Sequence, residues 1–362
     1  MSHTADDCEI LFDSGTESTN IVPRYLFRAF SDQSSGRNSG NAIVPHAFSV
    51  PFSRRNPLGA IDHAMIHCPA AQAAIDELPL KDMKTMLEAH LSWDYGIPSE
   101  FSSWSSSFLF VLRHGIRKKY NCRESNICFC VFDTRGKSRQ KIFPAMSLLR
   151  MYNIRDEAKM SHNLYDHEYL HYGSLVNIGN YSIATLVDLE DQDLYKELPE
   201  LGAERASYDL SLRVEQLRQD MFGTLRITTI EEVRLLHYIA KCFDKKEFHI
   251  PIIVAILALR RRIGENDETL QQILLMIPEI TLPEFTTSDV DGLRQLQSGA
   301  GRLLEVAEFA RLLSDVYGER TKSVRPQVQT HPADGLRPPY RTALKPDGIA
   351  EAHSQYLKQN SE

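Results

Sequence analysis

The chain has 362 residues, 42% of them hydrophobic and 25% charged, which is enough apolar material for one large domain or two. Its net charge of −7 lacks the excess of Lys and Arg from which a general nucleic-acid binder draws affinity, and the densest basic run is only Arg260-Arg261-Arg262. Residues 1–20 have neither a basic n-region nor an apolar core, and the longest apolar run, 250–259, is too short to cross a bilayer, so an intracellular, cytoplasmic protein without membrane or nucleic-acid partners is expected.

Six cysteines (Cys8, Cys68, Cys122, Cys128, Cys130 and Cys242) are scattered along the chain and read as free thiols in a reducing compartment. Residues 1–22 are rich in Ser, Thr, Asp and Gly and are expected to be disordered. Residues 24–30 are aromatic-rich and alternate as a strand does, 31–41 read as a loop, and 56–70 show no period. Across 80–93, Met83, Met86, Leu87, His90 and Leu91 recur at helical spacing. The stretch 99–107 reads as a Ser-rich turn, followed by a helix over 108–120 whose basic end suits the dipole. Strands are expected at 126–134, 141–146, 168–176 and 181–187, with a short helix or turn at 148–152. The last two strands flank the turn signal Asn177-Ile178-Gly179-Asn180.

Beyond 204 the pattern turns helical: 208–222, 229–243, 250–263, 268–276 and 290–317 all carry helical spacing. Thr229 ahead of Glu231 and Glu232, and Asn266 or Asp267 ahead of Leu270, read as helix starts. Residues 205–320 are expected to form a separate all-helical unit with 250–259, apolar nearly all round, as its central helix. Such a unit would brace the first domain or bind a protein partner. The proline-rich tail, 321–362, reads as disordered or as a linker.

Three segments carry candidate chemistry. Arg28 lies within the apolar strand Tyr25-Leu26-Phe27-Arg28-Ala29-Phe30, and a serine run follows at Ser102-Ser103-Trp104-Ser105-Ser106-Ser107. The third is Asp166-His167-Glu168, with Tyr172-Gly173 just beyond. On a strand, Asp166 and Glu168 would share a face, as paired carboxylates that hold a sugar hydroxyl or stabilise a cationic sugar centre do.

The order and spacing of these segments resemble those of ADP-ribosyltransferases, above all the heat-labile-enterotoxin class. That class has an aliphatic-Tyr-Arg-Ala strand, a Ser-Thr-Ser segment and a Glu-x-Glu segment followed by glycine. Here Arg28 precedes Ala29, and Gly173 lies five residues after Glu168. Residues 22–190 resemble more closely an uncharacterised domain family of filamentous fungi, domain of unknown function 7587, which shares the Arg-Tyr-Leu-Phe-Arg opening, the Ser-Trp-(Ser/Thr)-Ser turn and the Glu-Tyr-Leu segment.

The resemblance implies an α+β fold, with a split antiparallel sheet and a cleft over 22–200, and an all-α unit over 205–320. It implies NAD as substrate, Arg28 clamping a phosphate, Ser105 and Ser106 shaping the pocket, Glu168 as the essential acid and Asp166 positioning the acceptor. The chain departs from the pattern in two places. Ser-Thr-Ser is replaced by either Trp104-Ser105-Ser106 or Ser105-Ser106-Ser107, and Asp166 is one methylene shorter than the usual Glu. The functional expectation is an NAD-cleaving transferase or NAD glycohydrolase. The alternative is an inactive module that binds NAD, ADP-ribose or a protein.

Each segment also has a plainer reading. Arg28 could pair with an acid, Ser106 or Ser107 could cap the following helix, and Asp166 and Glu168 could be solvated edge-strand charges. His162, His167 and His171 are spaced unlike zinc ligands and read as surface or aromatic-packed histidines, so no metal is expected. Cys128 and Cys130 alternate on an apolar strand and read as facing the core or the covering helix.

Overall fold

The alternating aromatic run at residues 25–30 forms the strand on which the rest is assembled. The computed structural model describes residues 22–49, 80–92, 97–135, 141–154, 165–203, 209–263, 270, 274 and 285–323. Strand β1 (Tyr25–Phe30) turns Tyr25 and Phe27 toward the covering helices, and Leu26 and Phe30 toward Trp104, Cys130 and Phe132. One side of β1 is fully zipped to β5 (Cys128–Asp133), from Tyr25↔Asp133 to Phe30↔Cys128, and β5 in turn pairs with β9 (Tyr181–Thr185). The other side meets β4 (Phe101–Ser105), which pairs along its length with β7 (Glu168–Tyr172), and β7 carries β6 (Ile142–Pro144). The six-stranded order is β6-β7-β4-β1-β5-β9, all antiparallel, so the fold is mixed α+β.

Between β1 and β4 the register holds one pair, Phe27↔Ser105. Past it the two zipped halves of the sheet part. A second small sheet, β2 (Arg37–Asn38), β3 (Ala42–Val44) and β8 (Leu175–Val176), lies in the order β2-β3-β8. The expected strand 168–176 is therefore two strands in two sheets. Gly173, at φ +78°, supplies the left-handed step that breaks it.

The serine-rich stretch read as a turn is in fact central strand β4. Its polarity hides the pattern: Phe101 packs against Leu170 and Tyr172, while Trp104 packs with Leu26 and Phe132. Ser102 Oγ accepts from Trp104 Nε1 at 3.1 Å, so the buried hydroxyl is satisfied within the strand.

Helix α1 (His46–Ser49) is a single turn. Helix α2 (Leu80–Ser92) buries Met83, Met86, Leu87 and Leu91, the spacing read from sequence. Helix α3 (Phe108–Tyr120) is capped by Ser107, whose side chain accepts from the Phe110 N–H, and carries its basic end as expected. Helix α4 (Ala145–Met151) follows β6. Thr185 ends β9 and caps α5 (Leu186–Asp191), where the sequence reading carried the strand to 187. Short helices α6 (Leu194–Glu197) and α7 (Pro199–Ala203) come next.

The remaining helices are α8 (Leu210–Phe222), α9 (Ile230–Ala240), α10 (His249–Leu257), α11 (Thr287–Gly299) and α12 (Leu304–Ser323). Every residue of α10 is buried, as its all-round apolar sequence dictates. The expected helix 290–317 is two helices, broken where Gly301 adopts φ +54°. The helices share one hydrophobic cluster with Phe27 of β1 and Phe129 of β5. Arg260 and Arg262 turn inward, to Glu197 and Glu200 and to Glu232, which removes two cations of the basic run from the surface. Every described residue belongs to one compact unit. No helix among the described residues is long and apolar enough to cross a membrane. The readings for 1–21, 56–70, Cys68, most of 268–276, His162 and 324–362 fall outside the described residues.

Candidate functional site

The parting of β1 from β4 opens a cavity of about 200 Å³. Arg28, Ser103, Ser105 and Glu168 line it, with α3, α2 and the β3 strand completing the wall. Ser105 stands opposite Glu168 and Phe27 in the ladder, so these three share a face, and pleat alternation puts Arg28 on the other. The opening of the sheet is what lets residues from both faces meet in one hollow.

Arg28 spans the split. Its Nη1 donates to the Ser103 carbonyl at 2.6 Å, an oxygen that lies past the last β1–β4 pair. Nη2 makes a longer contact of 3.4 Å with Asn38 Oδ1, and buried Nε has no hydrogen-bond partner among the described residues. Burial pulls the guanidinium down to about 10, with Cys130 and the Glu168 carboxylate working the other way, so it stays charged at neutral pH.

The serine run divides its tasks. Ser105 lines the cavity, and its Oγ accepts from Ser107 N at 3.0 Å and faces Ser107 O at 3.3 Å. Ser106 is buried and hydrogen-bonds Tyr169; it is not among the residues lining the cavity. Ser107 is the helix cap.

The two carboxylates part company. Strand β7 begins at Glu168, whose N–H donates to Tyr165 O at 3.1 Å, so Asp166 sits in the preceding turn and not on the strand. Asp166 is exposed and does not line the cavity. Partial desolvation raises its carboxyl above the ordinary value, while Arg150 and Arg302 pull it down.

Sequence reasoning does not bring the imidazoles to the site: it reads His90 only as part of a helical spacing and His167 as a surface or aromatic-packed ring, and His167 does pack on Phe110. His90 Nε2 lies 2.8 Å from Ser103 Oγ, and burial, then the charge of Arg28, lowers it to about 4. His114 stacks parallel on Phe110 at 6.1 Å and is lowered to about 3 by burial and by Lys118, Arg117 and Arg28. His167 is buried against Phe110 at 4.5 Å. All three line the cavity. The available signal was weak: a polar residue on the apolar face of each helix, and a histidine beside the candidate acid. Among the described residues no three of His, Cys, Asp and Glu converge as metal ligands would.

The family model for a domain of unknown function, DUF7587, matches residues 21–177. A DUF7587 domain is found there. It spans β1 to β8 and so contains Arg28, the serine run and Glu168. No curated protein and no solved structure matches the chain.

Helix α3, which lines the cavity through Phe110, Val111 and His114, is tied at its cap to a residue outside the DUF7587 domain. Ser107 Oγ donates to Glu305 Oε1 at 2.6 Å, at the start of α12. Arg218 of α8 grips the same carboxylate twice, at 2.6 and 2.7 Å. Burial pushes Glu305 up, but the hydrogen bonds and charge of Arg218 and the Ser107 hydroxyl outweigh it and hold the carboxyl below its ordinary value.

Proposed function

We propose that the hollow between β1 and β4 is a nucleotide pocket of ADP-ribosyltransferase type, taking NAD and cleaving its nicotinamide–ribose bond. The observation that carries this reading is the meeting of Arg28, Ser105 and Glu168, from adjoining strands far apart in sequence, in one cavity. Glu168 accepts a hydrogen bond from the ribose 2′-hydroxyl and offsets the positive charge that develops at C1′. The C1′–N bond breaks with its electron pair leaving on nicotinamide. Water or a protein acceptor then bonds to C1′ and releases a proton. Arg28 turns its weaker Asn38 contact over to a phosphate oxygen and keeps its hold on Ser103. Asp166, outside the cavity, takes no part in the cleavage step. The test is nicotinamide release from NAD by the full chain, with Glu168→Gln expected to lower the rate by roughly 10²–10³-fold. Release unchanged in that variant removes Glu168 from the mechanism.

A second reading is binding without turnover, and one observation favours it. The Arg28 guanidinium and the Ser105 hydroxyl are both hydrogen-bonded within the wall. Thermal shift with NAD, ADP-ribose and nicotinamide separates the two, because a ligand that binds only the folded chain must raise its melting temperature. Stabilisation with no release of nicotinamide favours the module, and no stabilisation by any of the three ends both readings.

A further inference from the structure

Residues 225–227 and 261–263 run side by side and meet in a parallel bridge between Arg226 and Arg262. The Arg226 N–H donates to the Arg261 carbonyl at 2.9 Å, and the Arg226 carbonyl accepts from the Ile263 N–H at 3.2 Å. The far edge of 261–263 is closed, because the Arg262 N–H donates to Glu308 Oε1 at 3.1 Å. The edge of 225–227 is open. Both backbone groups of Arg226 point inward, so alternation turns those of Leu225 and Ile227 outward. Neither residue has a backbone hydrogen-bond partner among the described residues. The side chains alternate too. Leu225, Ile227 and Ile263 share one face with Arg261 and are 51%, 68% and 37% exposed. Arg226 stands on the opposite face beside Arg262. Glu232 grips the Arg262 guanidinium twice at 2.7 Å, while no acid engages the exposed Arg226 among the described residues.

We propose that this open edge is a docking site for an extended segment of another protein with the pattern apolar-acidic-apolar, added antiparallel to residues 225–227. The outward N–H and C=O groups of Leu225 and Ile227 exchange hydrogen bonds with the two apolar residues, whose side chains then cover the exposed face of Leu225, Ile227 and Ile263. The residue between them stands opposite Arg226 in a non-hydrogen-bonded pair, where the side chains of an antiparallel ladder come closest. An acidic residue there completes a cross-strand ion pair, and a basic one is repelled. The same geometry disfavours a second copy of this chain. In a two-fold antiparallel pairing of the edges, Leu225 faces Ile227 of the other copy and Arg226 faces Arg226, two like charges in direct opposition. An anionic membrane matches the charge and the apolar face but offers no ladder to the backbone groups. The inference is independent of what the cavity between β1 and β4 binds.

The experiment titrates the full chain into two labelled, end-blocked peptides, Thr-Val-Glu-Val-Thr and Thr-Val-Lys-Val-Thr. Fluorescence anisotropy reads the affinity, and amide hydrogen exchange of the chain reads the place of binding. The Glu peptide is expected to bind about fivefold tighter than the Lys peptide and to slow exchange at Leu225 and Ile227. Arg226→Glu changes an exposed side chain, so the variant is expected to melt with the parent and to reverse the preference. Ile227→Pro removes one outward N–H and is expected to abolish binding of both peptides. Binding of neither peptide, equal binding of both, a preference that survives Arg226→Glu, or binding undiminished by Ile227→Pro overturns the inference. Light scattering that shows a dimer of the parent chain, lost in Ile227→Pro, overturns it in favour of a second copy. Attachment to phosphatidylserine vesicles that Arg226→Glu releases, with neither peptide slowing exchange at Leu225, overturns it in favour of a membrane.

Discussion

Replacing Glu305 by alanine removes the acceptor of three hydrogen bonds, two from Arg218 and one from Ser107. The side chains of Arg218 and Glu305 are 11% and 2% exposed, so solvent does little to compensate the guanidinium that remains. Breaking one half of a buried ion pair costs about 3–5 kcal/mol. At about 2 °C per kcal/mol, as suits a unit of this size, the melting temperature of Glu305→Ala should fall by roughly 6–10 °C. The same reasoning makes the paired change nearly harmless. Arg218→Met with Glu305→Leu buries no lone charge, and apolar replacement of a buried pair is often neutral. The double variant should therefore regain most of the loss, with Ser107 alone left short of an acceptor. Thermal melts of the two single variants and the double form a complete cycle. A double variant as unstable as the sum of the singles would refute the account. The pH dependence carries a definite sign. The folded carboxyl lies below its unfolded value of 4.5, so its contribution is fully present above about 4.5 and is lost as pH falls through the folded value. Glu305→Gln should flatten that acid limb; an unchanged limb would assign it to other carboxylates.

Two further outcomes follow from packing and burial. A Cβ on Gly115 would stand 2.5 Å from two ring atoms of Phe129, which is wholly buried, so Gly115→Ala should lose the better helix propensity of Ala, about 1 kcal/mol, to overpacking of about 1–3 kcal/mol. Its thermal melt should come down, and a rise would show that the ring yields freely. Burial holds the Cys130 thiol well above its ordinary value, whereas Cys122 is exposed, so brief alkylation at pH 8 followed by peptide mapping should mark Cys122 and spare Cys130 until denaturant is added. Equal labelling of the two in the native chain would contradict the packing of β5.

What could be read from the sequence was what short-range physics controls. The alternation of Tyr25 to Phe30, the spacing of Met83, Met86, Leu87 and Leu91, the serine cap and basic end of 108–120 and the apolar surround of 250–259 each declare an element within a dozen residues. Arg28, Ser105 and Glu168 were likewise visible as residue types in a telling order. Their meeting was not. It depends on β4, a polar strand that local pattern reads as a turn, lodging between β1 and β7, and on β1 and β4 sharing one pair before they part. Asp166 stays outside the cavity because the strand begins at Glu168, as its expected start had it, and Asp166 lies in the turn before it. The neutral state of His90, His114 and His167 comes from desolvation by elements distant in sequence. Periodicity, caps and turns are set by neighbours along the chain, and the sequence alone determined those. The register between remote strands, and the burial that sets the charge of each group, are set by neighbours in space, and only the tertiary structure decided them.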